Sequence, residues 1–170
     1  GCTPSSQADE RTGVVSLVTD TTDNDTVAIQ HGDATSVHAM ISDTAGSQYK
    51  MAWEARVKIS SITNSEVKWF AGLAEEGSAG ADFIGDAGTL ASMAAKDYIG
   101  FFVAEADGDA LTTVYNNSGG TDTTVQTYGT ALVADTWYKL GMAFRPGGES
   151  GDKVITFYVN GQPLSTTVTD

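Results

Sequence analysis

The side chains able to do chemistry in this chain are few, and their spacing suits catalysis poorly. A retaining sugar hydrolase needs two carboxylates held about 5 Å apart. Glu75-Glu76 is an adjacent acidic pair at the end of an apolar run, but neighbours along a strand point to opposite faces. The pair is expected to be solvated loop charge. Nucleophilic catalysis would need Ser or Cys beside His, and His31 and His38 are the two histidines, both in the polar N-terminal third. No Gly-x-Ser-x-Gly elbow is present. Cys2 is the single cysteine, so no internal disulfide and no cysteine zinc site can form. No catalytic residue and no enzymatic activity are expected.

Metal binding has better material. Glu105, Asp107 and Asp109 place hard oxygen ligands at alternating positions around Gly108, and Asp23-Asn24-Asp25 does the same on a smaller scale. Neither run continues into a full calcium loop with a distal Glu. Asp and Gly are also the residues that tight turns demand. The expectation is an acidic turn and no cofactor, with Ca²⁺ on Glu105, Asp107 and Asp109 as the alternative.

Charge restricts the partners. The chain has 9 Lys and Arg against 22 Asp and Glu, a net charge of −13. Phosphate backbones need clustered cations, and anionic membrane surfaces need them too; neither nucleic acid nor membrane is an expected partner. The sparse cations nevertheless show a pattern. Arg56, Lys58, Lys68 and Lys139 fall on the polar side of strand-like alternation, whereas the acids crowd into turns. If those strands are neighbours, one sheet face is basic within an acidic molecule. That face is the candidate docking surface, for another protein or for the acidic loops of a second copy. Among the aromatics, Trp69 and Trp137 are expected in the core. Tyr158 alternates with Phe157 and is expected outside, as a candidate glycan contact.

The elements that must position these residues are strands. In a chain of 170 residues, 41% are hydrophobic and only 18% charged, with Thr, Ser, Asn and Gly filling the difference; that mixture favours strands and turns. Trp53, Ala55, Val57 and Ile59 alternate with Glu54, Arg56 and Lys58, the period-two signature of a half-buried antiparallel strand. Glu66 to Ala74 is expected as the next strand, with Val67, Trp69, Ala71 and Leu73 on one face and Phe70 on the other. Tyr98 to Ala104 is apolar throughout and should lie deep. Strands are also expected over 14–18, 26–29, 36–41, 111–115, 123–128, 137–144, 154–159 and from Leu164. Thr89 to Lys96 could hold a turn or two of helix. Asn160-Gly161 is a type I′ hairpin signal, because both central residues need positive φ. The fold class is therefore all-β, an antiparallel β-sandwich with short loops and at most one short helix. Residues 1–12 read as a flexible arm and 13–170 as one domain.

The order Trp53-Glu54-Ala55-Arg56-Val57, Trp69-Phe70-Ala71-Gly72-Leu73-Ala74, Asp97-Tyr98-Ile99-Gly100-Phe101-Phe102, Asp135-Thr136-Trp137-Tyr138-Lys139-Leu140-Gly141 and Phe157-Tyr158-Val159-Asn160-Gly161 resembles concanavalin A-like (laminin-G-like) jelly rolls. More narrowly it is similar to the small sandwich domains of tailed-bacteriophage virion structural proteins. The resemblance spans roughly residues 50 to 165. It implies a non-enzymatic component on the external surface of a bacteriophage virion, a capsid decoration, cement or fibre-associated protein. Its partners would be other virion proteins, such as the major capsid protein, and copies of itself. The same fold also hosts lectins, so the alternative is a carbohydrate-binding module, Ca²⁺-dependent or not, that holds host surface glycans. Such jelly rolls commonly carry more strands after the Asn-Gly turn. The expectation is either that the sequence is trimmed, or that the sheet is left open there, to be completed by the N-terminal segment or by a neighbouring subunit.

Overall fold

The computed structural model describes residues 3–6, 14–19, 27–29, 50–78, 82–117, 123–146 and 153–169. These form a β-sandwich of two four-stranded antiparallel sheets, with a separate two-stranded ribbon. The strands in chain order are β1 (Thr3–Ser6), β2 (Val15–Val18), β3 (Met51–Lys58), β4 (Trp69–Ala74), β5 (Tyr98–Val103), β6 (Thr112–Asn116), β7 (Thr123–Thr127), β8 (Trp137–Pro146), β9 (Lys153–Val159) and β10 (Gln162–Thr169). One sheet runs β10-β9-β8-β3 and the other β4-β5-β6-β7.

Alternation dictates which side chains meet between the sheets. Leu140, Met142 and Phe144 of β8, Ile155, Phe157 and Val159 of β9, and Ile99, Phe101 and Val103 of β5 form one buried cluster. Phe101 lies at its centre, wholly buried, edge-on to Phe157 with ring centroids 5.6 Å apart. Trp53 stacks on its other side at 6.4 Å. The alternating residues of β3 face inward as expected, although Met51, Trp53 and Val57 are only half-buried.

Every residue of β5 is buried, because its sheet is covered on both sides. On the outer side Tyr98, Phe102 and Val114 pack with Met93, and with half-buried Phe70, Phe83, Ile84 and Leu90. The covering segment is residues 82–97, of which Thr89 to Lys96 is the stretch expected to hold a turn or two of helix. Its one helical turn is a short 3₁₀ stretch, Leu90–Ser92. The Ser92 hydroxyl donates to the Ile84 carbonyl at 2.7 Å and accepts from the Thr89 amide at 3.0 Å, which locks the turn over the sheet.

Beneath that cover, Gly72 and Gly100 face each other across β4 and β5. The Phe70 ring leans over both, and a Cβ on Gly100 would sit 2.6 Å from the Ala71 carbonyl oxygen and 2.8 Å from Phe70 Cζ. The glycines are there because a ring and a backbone occupy the space that side chains would take.

The Asn160-Gly161 turn has the expected geometry, with φ of 52° and 79°. It leads into β10, which pairs with β9 at both ends, with a register irregularity between Pro163 and Thr167. That flank of the sandwich is not open. The Gln126 side chain, from β7, accepts from the Thr166 amide at 2.9 Å and joins the edges of the two sheets. Other boundaries shift modestly. β4 begins at Trp69 rather than Glu66, because 64–66 form a turn anchored by the Ser65 amide donating to the Glu105 carbonyl at 2.7 Å. Residues 27–29 are not in a strand, against expectation. Within the segment read as an arm, Thr3–Ser6 pairs with β2. The expected strand at 36–41, the histidines His31 and His38, Cys2, and the acidic run at 23–25 lie outside the described residues.

Candidate functional site

The outer face of the β10-β9-β8-β3 sheet gathers most of the residues singled out in the sequence. Because Trp53 and Val57 point inward, Glu54, Arg56 and Lys58 point out. Because Tyr138, Leu140 and Met142 are in the core, Trp137, Lys139 and Gly141 share that outer face. The antiparallel register then places Glu54 opposite Gly141, Arg56 opposite Lys139 and Lys58 opposite Trp137.

Like charges directly opposed across strands repel, and the Arg56–Lys139 pair is arranged to avoid this. Each cation turns diagonally. Lys139 Nζ reaches Glu54 Oε2 at 2.8 Å. The Arg56 guanidinium lies over the Trp137 ring at 4.6 Å from its centroid, and Lys58 Nζ approaches the same ring at 5.2 Å. A cation over a half-buried indole such as Trp137 is worth about 0.5–1 kcal/mol, enough to hold both side chains against the sheet. The expectation of a core position for Trp137 is corrected here. It follows the polar parity of β8 and serves as the platform for two cations; Trp69, by contrast, packs against the inner core.

Lys68 does not join this face. It precedes β4 in the other sheet, donates to the Gly85 carbonyl at 2.8 Å and lies 3.6 Å from Glu105 Oε2. It pins the covering segment to the sheet edge. The structure therefore brings together Arg56, Lys58 and Lys139 of the four candidates and leaves Lys68 elsewhere.

Tyr158 is half-buried on the same outer face, opposite Gly141 on β8 and Pro163 on β10. It borders a shallow hollow of about 170 Å³, floored by Ala52, Gly141 and Ala143 and edged by Glu54 and Lys139. The hollow exists because Gly141 carries no side chain between Glu54 and Tyr158. A Cβ there would meet only the Trp53 carbonyl oxygen at 3.5 Å and Tyr158 Cβ at 3.7 Å, ordinary contacts. Packing does not require this glycine.

The calcium candidates are built as a turn. Glu105 is engaged with Lys68. The Asp107 carbonyl accepts from Ala110 at 3.0 Å and the Asp109 carbonyl from Leu132 at 2.8 Å. The Gly108 amide donates to Asn64 Oδ1 at 3.0 Å. Among the described residues, no three of His, Cys, Asp and Glu converge as a metal site.

Glu75 and Glu76 are exposed. Glu75 Oε2 accepts from the Asp97 amide at 3.2 Å, and Oε1 lies 3.4 Å from Lys96 Nζ. The amide hydrogen bond first, and Lys96 second, hold its carboxyl below the usual glutamate range. A depressed folded-state pKa means stabilisation that is present above the unfolded pKa and lost as pH falls through the folded one. Glu75→Gln is therefore expected to lower the midpoint slightly at neutral pH and to flatten the acid limb, so that the two proteins converge at low pH. Urea midpoints measured from neutral pH to about pH 3 would show it; identical acid slopes in the two proteins would contradict it.

Compared with protein-family models, curated proteins and solved structures, the chain matches none.

Proposed function

We propose that this chain is a non-enzymatic structural component on the outside of a bacteriophage virion, and that it works by protein–protein contact. The reading assigns it no reaction. The observation that carries the contact role is the Trp137 platform. In a chain of net charge −13, Arg56, Lys58 and Lys139 are concentrated on one sheet face, two of them lying over one indole. Indole and guanidinium are the side chains that most often anchor protein interfaces, and a cationic patch steers acidic partners. The virion setting comes from the resemblance of the strand motifs to concanavalin-like sandwich domains of tailed phages. The partners would be the major capsid protein, other virion proteins and further copies of the chain.

The test is rebinding of the purified chain to virions stripped of it. Arg56→Glu with Lys58→Glu is expected to weaken rebinding by at least about tenfold, with a reduced salt dependence, while Glu76→Lys leaves it unchanged. Absence of the chain from purified particles by quantitative mass spectrometry would overturn the virion reading.

A second reading, a carbohydrate-binding module, is favoured by the hollow beside Tyr158. An aromatic edge next to a carboxylate–ammonium pair offers a sugar both a stacking surface and hydrogen-bond partners. On this reading Tyr158→Ala abolishes retention on a glycan array, and EDTA reports whether Ca²⁺ takes part. Retention that survives Tyr158→Ala would count against the hollow as the sugar site.

A further inference from the structure

The edge strand β3 shows a second contact surface, distinct from the Trp137 face. β3 ends its sheet, and no described strand pairs with its outer edge. Its inward row is also incompletely covered. Met51, Trp53, Ala55 and Val57 are half-buried, whereas the inward residues of β8 and β9 are fully buried. An edge of eight residues with an apolar row at its rim is a template for another strand.

The same chain carries a strand in need of a seat. Among the described residues β2 pairs only with β1, in a ribbon whose strands are four residues each. Neither strand is among the elements that make repeated contacts with the sandwich. Val15, Leu17 and Val18 are 51%, 42% and 57% exposed. An isolated two-stranded ribbon is marginal in water, and one with this much apolar surface is more so.

We propose that β2 of a second copy pairs antiparallel with β3, so that the ribbon of one molecule extends the β10-β9-β8-β3 sheet of another. The register follows from the side chains. Placing Leu17 opposite Trp53 puts Val15 opposite Ala55, so both valine and leucine extend the half-covered inner row. It puts Val18 opposite Ala52 on the outer side, beside the small residues near Gly141. Main-chain hydrogen bonds supply the affinity in such strand addition, and the alternate side chains supply the register. The occupant is a second copy because, among the described residues, the chain's own β2 pairs with β1 and not with its own β3.

This surface stands whether or not the Trp137 face docks. The test is sedimentation velocity of the full chain across a wide concentration range, with Leu17→Asp and, separately, Glu76→Lys on the other sheet. The expected result is reversible self-association that Leu17→Asp weakens by at least about tenfold and that Glu76→Lys leaves unchanged. Independently, in a Cys2→Ser background, a mixture of Val18→Cys and Ala52→Cys chains is expected to form a disulfide-linked heterodimer. A chain that stays monomeric throughout, or association indifferent to Leu17→Asp, would overturn the proposal. So would a doubly substituted Val18→Cys, Ala52→Cys chain that closes its disulfide within one monomer, since the seat would then belong to the molecule's own ribbon.

Discussion

Phe101→Ala is expected to lower the unfolding free energy by about 4 kcal/mol. Phe101 has no exposed surface and is clamped between Trp53 and Phe157, rings that belong to the opposite sheet. Truncation removes the contact that joins the two sheets at mid-sandwich, and neither neighbour can move in. Trp53 is held by the pairing of β3 with β8, and Phe157 by the pairing of β9 with β8. The cavity should therefore stay largely uncollapsed, which is the condition for a cost near the upper end for such substitutions. Phe101→Leu retains much of the volume and should lose less than half as much. Urea unfolding of both variants measures this. A lower midpoint with an unchanged denaturant slope is the expected form, and a loss below about 1 kcal/mol for the alanine variant would place Phe101 outside the centre of the core.

Gly100→Ala is the second large effect, and its sign is unusual. Glycine in a strand interior normally weakens it, so alanine should help. Here the added methyl would crowd the Ala71 carbonyl oxygen, the Gly72 Cα and the Phe70 ring together. The expected cost is about 2–3 kcal/mol, the range for overpacking a tight site. Two of those neighbours are backbone and cannot yield; the third is a ring held edge-on by Phe83 at 5.1 Å and Tyr98 at 6.0 Å. Combining Gly100→Ala with Phe70→Leu should recover part of the loss, because the branched chain can turn away where the ring cannot. Strict additivity of the two changes would mean that the ring and the glycine do not share space.

The sequence was most informative where one strand speaks for itself. The alternation from Trp53 to Lys58 assigned inner and outer faces correctly, and Asn160-Gly161 announced its turn through a local backbone requirement. It was silent where the answer lies between strands. Parity put Arg56 and Lys68 both on polar sides, yet Lys68 belongs to the other sheet. Only the register of β3 against β8 brings Lys139 beside Glu54 and Trp137 under Arg56. The cover over the β4–β7 sheet was hidden for a different reason. Phe83, Ile84, Leu90 and Met93 follow neither a period of two nor of 3.6, since the segment is held by Ser92 and by backbone turns rather than by a regular element. The hollow beside Tyr158 depends on an absent side chain at Gly141, and nothing in the linear chain distinguishes that glycine from those in hairpins.

The order of strands in the two sheets has a consequence for synthesis. The β4-β5-β6-β7 sheet follows the chain in simple succession, so each strand meets its partner as soon as the next one emerges. β3 has no such neighbour. It is made before every other strand of the sandwich, but its partner β8 follows all four strands of the other sheet. During translation the nascent chain must carry Met51, Trp53 and Val57 unpaired past the completion of a whole meander. Pairings this distant in sequence form late and slowly, and exposed apolar strands are where incomplete chains stick together. The ribosome-bound intermediate is thus a half-built sandwich with a waiting strand. A chaperone that protects β3 until Trp137 to Phe144 have left the exit tunnel would act at the step this topology leaves most vulnerable.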